Sequence, residues 1–127
     1  MKTPLELKYS KSHEWVKITG EHECEVGITD YAQDSLGDLV FVNLPEIDAD
    51  AVKDEAICDV ESVKAVSDIF SPVSGRVAEV NEELLDAPEK INEDPYGAWL
   101  FRLTDVEDFE GLLSAEEYEK VVEEEAH

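Results

Sequence analysis

The feature that most constrains this chain is a succession of short strand-like runs, each closed within a few residues by turn chemistry. "HEWVKIT", "CEVGIT", "DLVFVNLP", "GRVAEVN" and "AWLFRLT" follow one another with polar or Gly- and Pro-containing breaks between them. Runs of this length, rich in β-branched and aromatic residues, read as strands. In "GRVAEVN" the alternation is that of a half-buried strand. Many short strands separated by turns specify a small sandwich or barrel rather than an α/β sheet.

The runs predict strands over His13–Thr19 and Cys24–Thr29, joined as a hairpin by "GEHE". A further strand spans Asp38–Pro45, two more meet near Lys64, and others cover Gly75–Asn81 and Ala98–Thr104. "EIDADAVKDE" reads as a polar loop and "EELLDAPEKINEDPYG" as a helical turn followed by loop. Two places change period. In "TDYAQDSLGD", Thr29 is placed to cap a short helix, Asp30 lies at its positive end, and Gly37 can end it. Near the C-terminus, Ser114 and Glu117 form a capping box before "EEYEKVVEEE", predicting a helix over about 114–125. Its stripe of Tyr118, Val121 and Val122 is expected to dock on the body. "LGDLVFVNLPE" and "SGRVAEVNEEL" echo each other weakly, as two related hairpin halves would.

At 127 residues the chain has the length of one domain and can bury a core without disulfides. The stretch 1–8 is expected to be a flexible start. No apolar run approaches the roughly 20 residues of a membrane span, and "MKTPLELKYSKSHEW" has neither a secretory signal's apolar stretch nor a transit peptide's arginines. These readings predict a cytoplasmic protein. Ten basic residues against 33 acidic ones leave a net charge of −23, with Arg76 and Arg102 the only arginines. Nucleic acid and anionic membrane are therefore excluded as expected partners. The acidity is read either as solubility or as steering towards basic docking sites. Cys24 shares a strand face with Val26 and Ile28, and Cys58 with Ala56 and Val60, so both are expected in the core rather than in catalysis. His13, His22 and His127 have no metal-ligand spacing with the cysteines.

One reversal of the chain is unusual. "ESVKAVSD", Glu61–Asp68, reads as two strands meeting at Lys64, yet it holds no Gly, Pro or Asn. Lys64 is read either as an ordinary solvated turn residue or as a displayed one. Its small neighbours Ser62, Ala65 and Ser67 leave it open to another protein's active site. Lysine is a frequent target of acylation, and an acylating enzyme must select one lysine by its position.

"YSKSHEWVKI", "VGITDYAQDSLGDLVFVNLPE", "ESVKAVSDIFSPVSGRVAEVN" and "NEDPYGAW" together resemble the H-protein family of the glycine cleavage system, from Tyr9 to the C-terminal helix. Biotin carriers present Ala-Met-Lys-Met on a similar hairpin, where this chain has Glu-Ser-Val-Lys-Ala. The resemblance implies a mainly β, barrel-sandwich hybrid of two antiparallel sheets with short helices and a C-terminal helix, forming a single lipoyl-carrier domain over 1–127. It implies lipoic acid in amide linkage to Lys64. It also implies a non-catalytic carrier that takes an aminomethyl group from a pyridoxal phosphate-dependent glycine decarboxylase to a tetrahydrofolate-dependent aminomethyltransferase. A flavin-containing dihydrolipoamide dehydrogenase then receives the electrons.

Within the resemblance, Ser12, Glu14 and Asp68 match the cleft that receives the loaded arm, while Glu61 and Ala65 match recognition features for a lipoate ligase or a lipoyl or octanoyl transferase. From its residues alone, Glu14 reads as an exposed strand-edge charge and Asp68 as a turn-flanking one. The resemblance further implies a monomer in a bacterial or archaeal cytoplasm, or in the mitochondrial matrix if the chain is a processed eukaryotic form. The "IDADAVKDE" loop lacks the family's glycines, and "PYGAW" is one residue shorter than the usual entry to the tryptophan. The rival readings are an H-like protein relaying lipoate to other lipoate-dependent complexes, a silent scaffold with Lys64 unmodified, and a thiol enzyme using Cys24 or Cys58.

Overall fold

The computed structural model describes residues 2–126. Met1 and His127, which the expected flexible start and the histidine reading include, lie outside the described residues. In chain order the elements are β1 (Lys8–Tyr9), β2 (Glu14–Gly20), β3 (Glu23–Ile28), α1 (Asp30–Leu36), β4 (Leu39–Asn43), β5 (Asp50–Ala51), β6 (Ala56–Ser62), β7 (Val66–Phe70), β8 (Gly75–Val80), α2 (Glu83–Asp86), α3 (Lys90–Glu93), β9 (Phe101–Thr104) and α4 (Ala115–Ala126). Every strand pair is antiparallel. Six strands form one sheet in the order β1-β2-β3-β9-β8-β5, and three form the other in the order β4-β6-β7. The mainly β, two-sheet architecture expected from the sequence is the one observed.

The main core lies between the sheets. Val16, Val26, Val77 and Leu103 from the larger sheet meet Val42, Val60 and Ile69 from the smaller. Alternation along β2 sends Val16 into this core and Trp15 to the opposite face. There Trp15 joins a second cluster with Leu7, Tyr9, Ala115, Tyr118 and Val122. The apolar stripe of α4 therefore docks on the body, as its pattern predicted, with Val121 only half-buried. The capping box forms reciprocally: Ser114 N–H donates to Glu117 Oε1 at 2.9 Å, and Glu117 N–H donates to Ser114 Oγ at 3.2 Å. The Tyr118 hydroxyl lies 2.6 Å from Thr29 Oγ1 and 2.8 Å from His13 Nδ1, and His13 Nε2 is 2.6 Å from Glu125. Helix α4 is thus tied to both β2 and α1. At the start of the chain Leu7 is buried, and the Tyr9 hydroxyl donates to Pro4 O at 2.6 Å.

Helix α1 follows its sequence signals. Thr29 Oγ1 accepts from Ala32 N–H, and Gly37, at φ 82°, donates its N–H to Gln33 O. Several boundaries differ from expectation. The strand expected from His13 begins at Glu14, because His13 sits at φ 75°, outside the extended region. The strand expected over Ala98–Thr104 is assigned only from Phe101, although Leu100 N–H already donates to Val26 O. The polar loop after Pro45 contains a strand. Asp50 and Ala51 pair with Arg76 and Gly75, and Ala51 is buried. Its tight turns rest on Asp48 at φ 73° and Asp54 at φ 68°, aspartate being the residue there that tolerates the left-handed region. The two echoing segments do not form related hairpins. Strand β4 pairs with β6 in one sheet, whereas β8 lies between β9 and β5 in the other.

Trp15 is opposite Gly27 in the β2–β3 pairing, and a methyl group at Gly27 would come within 2.6 Å of the indole ring. A Gly27→Ala substitution should therefore overpack the second core. We expect it to cost about 1–3 kcal/mol and to lower Tm by about 3–12 °C, measured by thermal unfolding. An unchanged Tm would mean that the ring shifts freely.

Candidate functional site

The β6–β7 reversal spans Ser62–Ala65, and a side chain performs the work usually left to Gly or Asn. Ser62 Oγ accepts from the N–H of Lys64 at 3.2 Å and of Ala65 at 3.1 Å, while Ser62 N–H donates to Ala65 O at 2.8 Å. A hydroxyl that caps two turn amides substitutes for a backbone turn. Val63 N–H donates to Asp38 O at 3.0 Å, fastening the tip to the segment between α1 and β4. Ser62 is the residue that sequence reasoning noted only as small. A serine two residues before a turn lysine was the available signal.

Lys64 is exposed at this tip. Its side chain passes Gly37, where an added Cβ would lie 3.5 Å from Lys64 Cε. Among the described residues no hydrogen bond or ion pair engages its amine. Other lysines differ. Lys53 Nζ donates to Glu110 O at 2.7 Å, and Lys90 pairs with Glu83. Glu61 and Ala65 flank Lys64 at the same end of the hairpin, with Glu61 opposite both Phe41 and Val66.

Of the three residues expected in a cleft, the structure joins two. Glu14 is not the exposed strand-edge charge that its residue type suggested: it is 1% exposed. The reason is its place on β2, two residues from Val16 and on the same face, so it enters at the margin of the main core. Its Oε1 accepts from the hydroxyls of Ser10 and Ser12, each at 2.5 Å, and its Oε2 receives a long contact from Phe70 N–H at 3.4 Å. Ser10 also receives Glu14 N–H at 3.0 Å, a partner the sequence reading missed. A cleft of about 540 Å³ is lined by Ser10, Ser12 and Phe70, the partners of this carboxyl, and by Lys11, Lys53 and Asp54, whereas Glu14 itself lies behind them and does not line it. Asp68 is exposed on β7, opposite Asp59, and no hydrogen bond joins it to Glu14. It lies between the Lys64 tip and the cleft. From Val66 to Phe70 the strand covers about 13 Å.

Burial is the largest influence on Glu14 and raises its pKa. Hydrogen bonds from Ser10, Ser12 and Phe70 oppose the rise, and Asp54 adds to it. Burial likewise pushes the thiols of Cys24 and Cys58 up to about 12. Both cysteines are free, Cys24 inside the core and Cys58 packed against it, so neither presents a thiolate at neutral pH. Among the described residues no group of three His, Cys, Asp or Glu could hold a metal ion. Nor, among the described residues, is any helix long and apolar enough to cross a membrane.

The family model described as glycine cleavage H-protein matches residues 7–125. The chain is 56% identical over 125 residues to the glycine cleavage system H protein of Lachnoclostridium phytofermentans, covering 98% of each chain. It is 50% identical over 129 residues to that of Nitrosomonas eutropha, covering the whole of both. A probable glycine cleavage system H protein of Pyrococcus abyssi is 53% identical over 115 residues, or 88% of this chain and 86% of the relative. Among solved structures, the crystal structure of a glycine cleavage system H protein from Mycobacterium marinum superposes with a TM-score of 0.86 at 41% identity, covering 92% of this chain and 96% of the other.

The raised pKa of Glu14 has a stability consequence of definite sign. The folded state holds this proton to higher pH than the unfolded chain does. Its contribution to stability is therefore complete below the ordinary glutamate range, about pH 4.3. It is lost as pH rises through the folded-state value. Glu14→Gln should remove that loss, so the Tm difference between variant and wild type should move in the variant's favour from about pH 4 towards neutrality. A pH-independent difference would show that Glu14 titrates normally.

Proposed function

This chain belongs to the glycine cleavage H-protein family, whose members are lipoyl carriers of the glycine cleavage system, and we propose that it holds its lipoyl group in amide linkage on Lys64. The observation that carries this reading is the amine itself: exposed, unpaired among the described residues, and set on a turn that Ser62 holds by two backbone amides. A rigid tip presents one lysine of eight in a reproducible position to an attaching enzyme. Glu61 and Ala65, on either side of it, are the features such a ligase or transferase would read. When bound, lipoate supplies a disulfide able to accept an aminomethyl unit and two electrons.

The residues of this chain bind and protect. Glu14 is a buried carboxyl that makes no ion pair among the described residues, so an arriving ammonium would favour its charged form through a charge-assisted hydrogen bond. Ser10 and Ser12 hold the carboxyl still, and its burial keeps water from it. Asp68, exposed along the route from Lys64, would offer a second carboxylate to the same cation. A neutral arm gains nothing from either group, so loading itself would move the arm towards the cleft. The partners on this reading are a pyridoxal phosphate glycine decarboxylase, a folate-dependent aminomethyltransferase and a flavin dihydrolipoamide dehydrogenase. The chain would work as a monomer, without catalysis of its own, in the cytoplasm of a bacterium or archaeon, the groups to which its relatives belong.

Incubation with lipoate, ATP and a lipoate ligase, followed by peptide mapping, should place one lipoyl group on Lys64 and none on Lys53 or Lys90. Lys64→Arg should take up none while keeping its fold. Lipoate on another lysine would overturn the assignment.

The ammonium site has its own test. Glu14→Gln should accept lipoate normally. Once charged from glycine and left without folate acceptor, it should release ammonia about ten- to a hundredfold faster than wild type, the effect of losing one charge-assisted bond. Equal release rates would remove Glu14 from the site.

A further inference from the structure

The outer face of the three-stranded sheet carries an apolar row that the fold leaves uncovered. Phe41, Glu61 and Val66 are register partners across β4, β6 and β7, so their side chains share one face. Val42, Val60 and Ile69 point the other way, into the core. Phe41 is 62% exposed and Val66 66%, while Val63, in the turn, is 69% exposed. Val40 is exposed on the same strand as Phe41. Single exposed apolar residues are ordinary. Here four of the nine large ones among the described residues gather around one turn, that of Lys64.

The next row on this face is Asn43, Asp59 and Asp68, with Asn43 Nδ2 donating to Asp59 Oδ1 at 2.5 Å. Strands β4, β6 and β7 contain no Lys or Arg. Among the described residues Lys64 is the one cation in these three strands and in the turn that joins β6 to β7. Around it lies an apolar patch edged by Asp59, Glu61 and Asp68. A second copy of this chain, itself at −23, is a poor match for such a face.

We propose that Phe41, Val63 and Val66, edged by Asp59, Glu61 and Asp68, form the docking surface for the enzyme that acylates Lys64, whose active-site mouth would offer an apolar hollow rimmed by Lys and Arg. The proposal rests on the reading of Lys64 as the attachment site. It adds that recognition extends two strands from the lysine, to Phe41. Aromatic anchors surrounded by charge are the usual centre of binding energy in an interface, and the charges speed encounter.

The test is steady-state lipoylation of the full chain by a lipoate ligase, comparing wild type with Phe41→Ser, Val66→Ser, Asp59→Asn and a control, Leu85→Ser, at an exposed leucine in α2. Thermal unfolding establishes that each variant is folded. Phe41→Ser and Val66→Ser should each raise KM for the carrier about tenfold with kcat unchanged. Asp59→Asn should raise KM less and flatten its dependence on salt, and Leu85→Ser should behave as wild type. Acylation of Lys64 by a small activated ester, which needs no docking, should proceed alike in all of them. An unchanged KM in both folded apolar variants would overturn the proposal while leaving the attachment site intact. A kcat loss shared with the ester reaction would place the effect in the turn and overturn it equally. So would a concentration-dependent dimer abolished by Phe41→Ser, which would make the face a contact between copies. A wild-type chain that accepts no lipoate would overturn the reading of Lys64, and this proposal with it.

Discussion

Strand β2 is covered on both faces at its start, and much else follows from that. Val16 faces the core between the sheets, and Trp15 faces the cluster under α4. A strand buried on both sides holds its register tightly, because a slip of one residue would exchange the two sets of side chains. Trp15 has further requirements: its Nε1 donates to Pro95 O at 3.0 Å, and its ring lies against Gly27, where any side chain would collide. Glu14 enters the interior through this register. It shares Val16's face at the strand's first position, so the fold draws a carboxyl out of water. Two serine hydroxyls reduce the cost without supplying a counter-charge.

The two ends of the site are connected by ordinary β structure. Strand β7 runs from the Lys64 turn to Phe70, whose N–H contacts Glu14. The turn is fastened to the chain between α1 and β4 by Val63, and α1 is fastened through Thr29 to Tyr118 of α4. An exposed turn would otherwise be among the softest parts of a domain. Here its amides are held by Ser62 and Asp38, so flexibility is left to the lysine side chain and whatever it bears.

The acidity acquires a distribution in the structure. Arg102 is held by Glu25 and Glu79 and stacks on Trp99 at 3.9 Å. Lys53 and Lys90 are engaged by neighbouring groups. Among the described residues, the acidic side chains edging the Lys64 face have no such cations.

Much was legible in the sequence because it is written in local physical chemistry. The Thr29 cap, the Gly37 stop and the Ser114–Glu117 box each depend on residues a few positions apart, and each forms where its pattern placed it, whereas the simple alternation read in "GRVAEVN" is broken by a bulge between Val77 and Glu79 that leaves Val77 buried and Ala78 exposed. The core placement of Cys24 and the outward display of Lys64 follow from the same short-range patterns. Tertiary structure decided what depends on residues distant in sequence. The strand at Asp50–Ala51 exists because Arg76 and Gly75 offer it a partner, which its polar composition does not suggest. The burial of Glu14 required the Ser10–Ser12 segment, β7 and the main core to close around the start of β2, and no local pattern distinguishes a carboxyl at a covered strand end from one at an open edge. The clustering of Phe41 with Val66 required β6 to lie between strands about twenty-five residues apart. Spacing along the chain specifies which residues share a face of one element; only packing specifies which faces meet.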